Sequence, residues 1–252
     1  MRIFDNSKIR NKTMAMEEPE KVMPLTEHLE ELRWRILKAL GSLVLFALLS
    51  FPLTPSLLDL LARPVGQLYF FAPTEAFFIR IKLAFVMGLV ISAPLILYEI
   101  WAFVLPALTK REKNYALPLV LSSTLLFILG ILFAYFFLLP VAIKVLLSFG
   151  TESLQELMGV TRYTNFVLWT LLGCGIVFEI PVIIFFLTRL GLLSPEFLIR
   201  RWKESLLLIF ILSALITPSI DMVTQVLLAL PLTLLYLISL LVSFLARRQG
   251  SI

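Results

Sequence analysis

Three glutamates near the start of the first apolar helix predicted from the sequence share one face of that helix. Residues 25–36 read LTEHLEELRWRI. At 100° per residue, Glu27, Glu30 and Glu31 fall within about a third of a turn, opposite a stripe of leucine and isoleucine. Carboxylates grouped in this way can accept the forked guanidinium of an arginine in bidentate geometry. The pattern also fits a solvated helix face with a Glu31–Arg35 ion pair one turn apart, and the residues alone leave both interpretations open.

A further carboxyl, that of Glu179, lies inside an apolar segment, in the run VFEIP at residues 177–181. Helical rise places it about 12 Å from the end of that segment. A carboxyl in hydrocarbon costs on the order of several kcal/mol unless it is neutral, paired or next to water, so this position predicts a functional group. Pro181 predicts a kink beside it. Glu99, nearer the end of another apolar segment, could instead reach the membrane interface by snorkelling.

Other polar residues lie at the ends of apolar segments. Glu112 belongs to the basic run TKREK at residues 109–113, where it could balance its neighbours or bind a cation, and Phe103 just before this loop suits helix-end packing. Asp221 and Gln225 are one turn apart at the start of the last apolar segment. Asp221 could cap that helix, whereas Gln225 is a good hydrogen-bond donor to another transmembrane helix.

Enzymatic chemistry has few candidate residues in this sequence. There is one histidine, His28, and one cysteine, Cys174. These numbers exclude an internal disulfide and a multi-cysteine metal site. The sequence also lacks the glycine-rich phosphate loop, the zinc-protease motif and the nucleophile elbow of serine hydrolases. We therefore predict a protein that is not an enzyme and needs no cofactor or metal.

The composition predicts a membrane protein with several spans. Of the 252 residues, 60% are hydrophobic and only 15% are charged. Soluble proteins are about 45–50% apolar and about 25% charged, so the apolar surplus must face lipid. The fifth of six apolar segments is short, and it is either re-entrant or, as we favour, a spanning hairpin with the sixth. The predicted spans cover residues 36–53, 83–105, 116–139, 165–187, 202–217 and 223–244, the first ending at Pro52 and Pro55.

The basic residues predict how these spans are oriented. Of the 22 Lys and Arg residues, 17 fall on the side of the membrane that holds both termini. By the positive-inside rule both termini are then cytoplasmic, which is consistent with an even number of spans. Residues 1–22 are polar and aperiodic, so we predict a disordered cytoplasmic arm, followed by one membrane domain at 23–248 and a short tail at 249–252.

Several runs of residues resemble the TatC family, the multi-spanning core subunit of the twin-arginine protein translocase. The similarity covers about residues 23–248, and the run at 92–103 is the most specific part of it. The matching runs are residues 26–33 (TEHLEELR), 77–83 (FFIRIKL), 92–103 (SAPLILYEIWAF) with 106–108 and Glu112, 178–181 (FEIP), and Thr217-Pro218 with Asp221 and Gln225.

The resemblance implies an all-α receptor with six transmembrane helices in a concave bundle, located in the cytoplasmic (inner) membrane. It would bind signal peptides that carry consecutive arginines and export folded proteins using the proton-motive force. Its partners would be single-span subunits of the TatA and TatB type and further copies of itself.

The resemblance also implies roles for individual residues. The arginine pair would be bound by Glu31 and Glu112, with Phe103 beside them and Arg33 shaping the site. Glu179 would contact the single-span subunits within the membrane, and a second contact would comprise Gln225, Thr217 and Asp221. The interval from Thr217 to Asp221 is one residue longer than in the family pattern, which leaves the role of Asp221 open.

Two other classes of function compete with this interpretation. A secondary transporter or ion channel could use Glu179 and Glu99 as an intramembrane relay. The two halves of the sequence show no obvious repeat of the kind found in transporters. A single acidic residue deep in the membrane also provides few sites for a proton or cation to cross. A purely structural scaffold would leave the acidic cluster around Glu31 unexplained.

Overall fold

The computed structural model describes residues 25–104, 116–148, 157–216 and 222–249, and these residues are almost entirely helical. The only β-bridge among them joins Tyr69 to Gly159. The α-helices are α1 (Leu25–Ser50), α2 (Thr54–Ala62), α3 (Pro73–Val104), α4 (Ala116–Phe133), α5 (Leu139–Leu147), α6 (Val160–Val177), α7 (Ile180–Arg189), α8 (Pro195–Arg200), α9 (Trp202–Ile216) and α10 (Met222–Gln249). A 3-10 turn (Phe51–Leu53) joins α1 to α2, and a π-helical segment (Ala134–Leu138) joins α4 to α5.

Each of the six predicted apolar segments coincides with a helical part of the structure. Five helical stretches are long and apolar enough to cross a membrane, and the all-α membrane class is confirmed. The remaining segment, the fifth along the chain, is α9, whose 15 residues rise only about 22 Å and pack against α10. The five long stretches are Glu27–Ala62, Pro73–Val104, Leu117–Leu147, Val160–Arg189 and Gln225–Leu245.

Pro52 and Pro55 were predicted to end the first apolar segment, and α1 ends just before them, at Ser50. The chain passes from α1 through the 3-10 turn into α2 and stays helical to Ala62. Each proline occupies the first turn of a new helical element, where its missing N–H is one that would have no intrahelical partner anyway. The Thr54 hydroxyl also donates to the Phe51 carbonyl oxygen at 2.8 Å, which supports the junction.

Two buried clusters hold the helices in place. The larger one joins residues of α2, α3, the π-helical segment, α5, α6, α9 and α10. The smaller one lies where α3, α4 and α7 meet, and consists of Trp101, Leu119, Val120, Val182 and Phe186. Its Trp101 and Phe186 rings meet edge to face, 4.9 Å apart. The smaller cluster therefore fixes the end of α3 against α4 and α7.

Close contact between α1 and α3 depends on a glycine. A Cβ atom added at Gly88 of α3 would lie 2.6 Å from the backbone nitrogen of Ala47 of α1. Backbone cannot yield as a flexible side chain can, so only glycine allows this approach. The contact sets how the residues of α1 face those of α3.

We expect Gly88→Ala to destabilise the protein, because the added methyl group would force α1 and α3 apart. An overpacked contact of this kind costs about 1–3 kcal/mol. The measurement is thermal unfolding of the purified protein in detergent. The matched control is Gly41→Ala in α1, where nothing lies within 4 Å of the added atom, so stability should hold or rise slightly. Equal melting temperatures for both variants would contradict the packing argument.

Candidate functional site

The Glu31 side chain lies on the face of α1 that packs against α3. It is 24% exposed, whereas Leu29 and Ile36, on the stripe opposite, are 64% and 48% exposed. The Arg35 guanidinium donates to one oxygen of this carboxylate, Oε1, from Nε at 3.1 Å and from Nη2 at 2.5 Å. The i,i+4 ion pair predicted from the sequence is therefore present, and it lies between two helices instead of on a solvated face.

A second carboxylate, that of Glu99 in α3, shares the same guanidinium. Arg35 Nη1 donates to Glu99 Oε2 at 3.0 Å, and the two side chains are 20% and 15% exposed. Glu99 therefore faces α1, where Arg35 engages it. One arginine thus joins two acids across the α1–α3 contact.

Two rings lie beside these charges. His28 of α1 stacks on Phe103 of α3, with centroids 4.2 Å apart and planes 12° apart. His28 Nδ1 is 3.8 Å from Glu31 Oε2, which is beyond hydrogen-bonding distance. Within the described residues, Oε2 is buried and has no hydrogen-bond partner. We call His28, Glu31, Arg35, Glu99 and Phe103 the Glu31 cluster.

The cluster contains two of the four residues predicted to form the signal-peptide site. Glu31 and Phe103 come together, with the His28 ring against Phe103. Arg33 is exposed and lies two residues from Glu31, about 200° round the helix, so it faces away from the cluster. Glu112 lies outside the described residues. Arg35, Glu99 and His28 were not predicted as site residues, although their charges and their places at helix ends could have suggested them.

Glu179 lies at a break between α6 and α7, as the Pro181 kink predicted. It is 8% exposed, and its carbonyl oxygen accepts from the backbone of Val182 and Ile183 at 3.0 Å each. The Ser123 hydroxyl of α4 interacts with its carboxyl group. Ser123 in turn accepts from Trp101 Nε1 at 2.9 Å.

The resulting chain of Trp101, Ser123 and Glu179 joins α3, α4 and the start of α7, and we call it the Glu179 network. Ser123 is fully buried and Trp101 is 6% exposed, so the network is enclosed. Oε1 of Glu179 has no hydrogen-bond partner among the described residues. An enclosed carboxyl oxygen without a partner is costly, which suits a group that meets a polar partner from outside the chain.

We expect Ser123→Ala to lower stability by about 1–3 kcal/mol, because it leaves the Trp101 indole N–H buried without an acceptor and removes a hydroxyl that interacts with Glu179. The matched control is Ser122→Ala on the adjacent residue, whose hydroxyl donates to the nearby Leu119 carbonyl oxygen at 3.0 Å. Thermal unfolding in detergent should separate the two variants. A control variant as unstable as Ser123→Ala would contradict the role given to the network.

Gln225 bonds within its own chain. Its Nε2 donates to the Phe210 carbonyl oxygen at 3.1 Å, which ties α10 to α9. A contact between Gln225 and another subunit would have to use its remaining hydrogen-bonding capacity or replace this bond. Thr217 and Asp221, predicted to share that contact, lie outside the described residues.

Comparison with known proteins decides the family. The sequence model described as "Sec-independent protein translocase protein (TatC)" matches residues 27–231, most of the chain. The chain belongs to the TatC family. Among TatC relatives, it is 40% identical over 235 residues to the Aquifex aeolicus protein, covering 90% of this chain and 97% of that one. It is 36% identical over 228 residues to the Carboxydothermus hydrogenoformans protein, covering 89% and 94%.

A solved TatC structure confirms that the similarity extends to the fold. A crystal structure of the twin-arginine translocase receptor TatC superposes with a TM-score of 0.78 at 38% identity, covering 87% of this chain and 99% of the other. The TatC resemblance read from the sequence is therefore confirmed. The chain is a multi-pass membrane protein and a subunit of the Sec-independent translocase, that is, a transport protein.

Proposed function

We propose that this TatC-family chain is the receptor that binds twin-arginine signal peptides, and that the Glu31 cluster is part of its binding site. The observation that carries the proposal is the buried Oε2 of Glu31, an acceptor without a partner next to the Phe103 and His28 rings. A carboxylate oxygen held in this way suits a cationic ligand. Glu112 supplies the second carboxylate of the proposed site.

The cluster favours arginine over lysine for physical reasons. A guanidinium is planar and presents several N–H donors in a fixed fork, so it can bond Glu31 while its face stacks on an aromatic ring. A lysine ammonium is a compact, strongly hydrated charge that gains less from a planar, half-buried site. We therefore expect both arginines of the signal to contribute, one at Glu31 and the other at Glu112.

The proposal places the Glu31 cluster at the cytoplasmic face of the inner membrane. The distribution of Lys and Arg supports this orientation, with both termini cytoplasmic. Precursor proteins are folded in the cytoplasm, so a receptor for their signals must expose its site there. The proton-motive force would then drive export.

Partner subunits are proposed to meet the chain at two places within the membrane. The first is Glu179, whose buried Oε1 lacks a partner. The second is the α9–α10 end that carries Gln225, with Thr217 and Asp221. Helices of the TatA and TatB type, each crossing the membrane once, are the proposed partners, together with further copies of this chain.

The alternative of a transporter with a Glu179–Glu99 relay has less support. Glu99 is engaged by Arg35, so a relay through Glu99 would first have to break this ion pair. Glu179 interacts with Ser123 of another helix. Each acid thus has a local partner that a relay would need to release.

The test is export in cells whose own TatC has been deleted and replaced by this chain with its cognate single-span subunits. A folded reporter with an Arg-Arg signal should reach the far side of the membrane, and an uncoupler should stop it. The same reporter with a Lys-Lys signal should remain in the cytoplasm. Equal export of both reporters would contradict the proposed function.

A further inference from the structure

We propose that Glu99 is a positioning residue of the binding site: it holds Arg35 so that one oxygen of Glu31 remains free for the signal peptide. This inference rests on the proposed function and deepens it. It concerns the resting site, before a peptide arrives. It assigns a role to two residues of the cluster, Arg35 and Glu99, that are not proposed to touch the peptide.

The geometry of Arg35 is the first observation. Both Nε and Nη2 bond the same oxygen of Glu31, Oε1, and Nη1 bonds Glu99. An arginine paired with a single carboxylate often forms two parallel bonds, one to each oxygen. Here Glu99 engages the remaining end of the guanidinium, and Oε2 of Glu31 is left without a partner.

The surroundings of Oε2 are the second observation. His28 Nδ1 lies 3.8 Å from this oxygen, beyond hydrogen-bonding distance, and the His28 ring stacks on Phe103. Neither Arg35 nor His28 therefore satisfies Oε2. A ligand guanidinium can bond Oε2 without first displacing Arg35, which lowers the cost of binding.

Loss of the acceptor at position 99 should allow Arg35 to compete with the ligand. With Nη1 released, the guanidinium can turn and bond both oxygens of Glu31, which closes the site. What matters in this mechanism is the acceptor oxygen of Glu99 more than its charge. Glu99→Gln keeps an acceptor oxygen and should preserve the site, whereas Glu99→Leu removes it.

The experiment measures the dissociation constants of labelled Arg-Arg and Lys-Lys signal peptides for the full-length protein in nanodiscs. Glu99→Leu should weaken Arg-Arg binding about tenfold, as expected for one charge-assisted hydrogen bond, with a much smaller effect on the Lys-Lys peptide. Glu99→Gln should remain within about threefold of the unmodified protein. In an Arg35→Leu background, Glu99→Leu should change binding by less than about twofold, because Glu99 acts through Arg35.

The matched control is Glu204→Leu, which breaks the exposed Arg201–Glu204 ion pair and should leave both affinities unchanged. Unchanged Arg-Arg affinity in Glu99→Leu, or an equal loss in the Arg35→Leu background, would overturn the inference. If Glu99→Leu does not fold, Glu99→Ala serves instead, because it also removes the acceptor oxygen and should weaken Arg-Arg binding; unchanged Arg-Arg affinity in that variant would equally overturn the inference. Failure of the proposed function is distinguishable, because the unmodified protein would then show no Arg-Arg preference.

Discussion

Replacing Glu31 with glutamine should abolish export of proteins that carry a twin-arginine signal, while the chain still inserts into the membrane. The substitution keeps the shape of the side chain and removes its charge, so the ligand guanidinium loses its ion pair and Arg35 loses one of two anionic partners. Loss of one member of a half-buried charge pair costs about 2–5 kcal/mol, equivalent to about thirtyfold or more in affinity.

Glu112→Gln should have a comparable effect if Glu112 binds the second arginine. The measurement is export of a folded reporter, with membrane content of each variant determined by immunoblot. Glu30→Gln is the control, because Glu30 is an exposed neighbour on the same helix and should export normally. Normal export by both Glu31→Gln and Glu112→Gln would remove these residues from the site.

The second large effect is expected at Glu179. Glu179→Ala should weaken assembly with the single-span subunits while leaving capture of the signal peptide nearly unchanged. The substitution removes the carboxyl oxygen proposed to meet the partner helix. Hydrogen bonds between transmembrane helices contribute about 0.6–2 kcal/mol, so crosslinking to the partners should fall about three- to thirtyfold.

Two comparisons make the Glu179 result specific. Glu179→Gln retains a hydrogen-bonding amide and should lose less crosslinking than Glu179→Ala. Ser122→Ala changes a nearby residue of α4 outside the Glu179 network and should crosslink normally. If Glu179→Ala crosslinks to its partners as the unmodified chain does, Glu179 is not the contact.

Much of the fold could be predicted because it follows from the lengths of the apolar segments and from the positions of helix-breaking residues. Each predicted apolar segment is found on helix, and Pro181 correctly predicted the break beside Glu179. Pro52 and Pro55 do lie where α1 ends, but each also begins a new helical element, so the chain stays helical to Ala62. That continuation depends on the position of each proline within the first turn, which the sequence pattern did not predict.

The partners of the charged residues could not be predicted in the same way. Arg35 and Glu99 are 64 residues apart, and they meet only because α1 and α3 pack closely at Gly88. The sequence around α1 contains both Glu31 and Arg35, one turn apart, but it does not show that Glu99 of α3 joins them. Ser123 likewise resembles any small polar residue of a transmembrane helix until Trp101 and Glu179 are placed on either side of it.

The measurement that tests the central claim most directly is binding of labelled signal peptides to this protein in nanodiscs, comparing Arg-Arg with Lys-Lys. The account predicts a strong preference for the Arg-Arg peptide that disappears in Glu31→Gln. Equal and weak binding of both peptides, unchanged by Glu31→Gln, would contradict it and leave the Glu31 cluster as a structural link between α1 and α3.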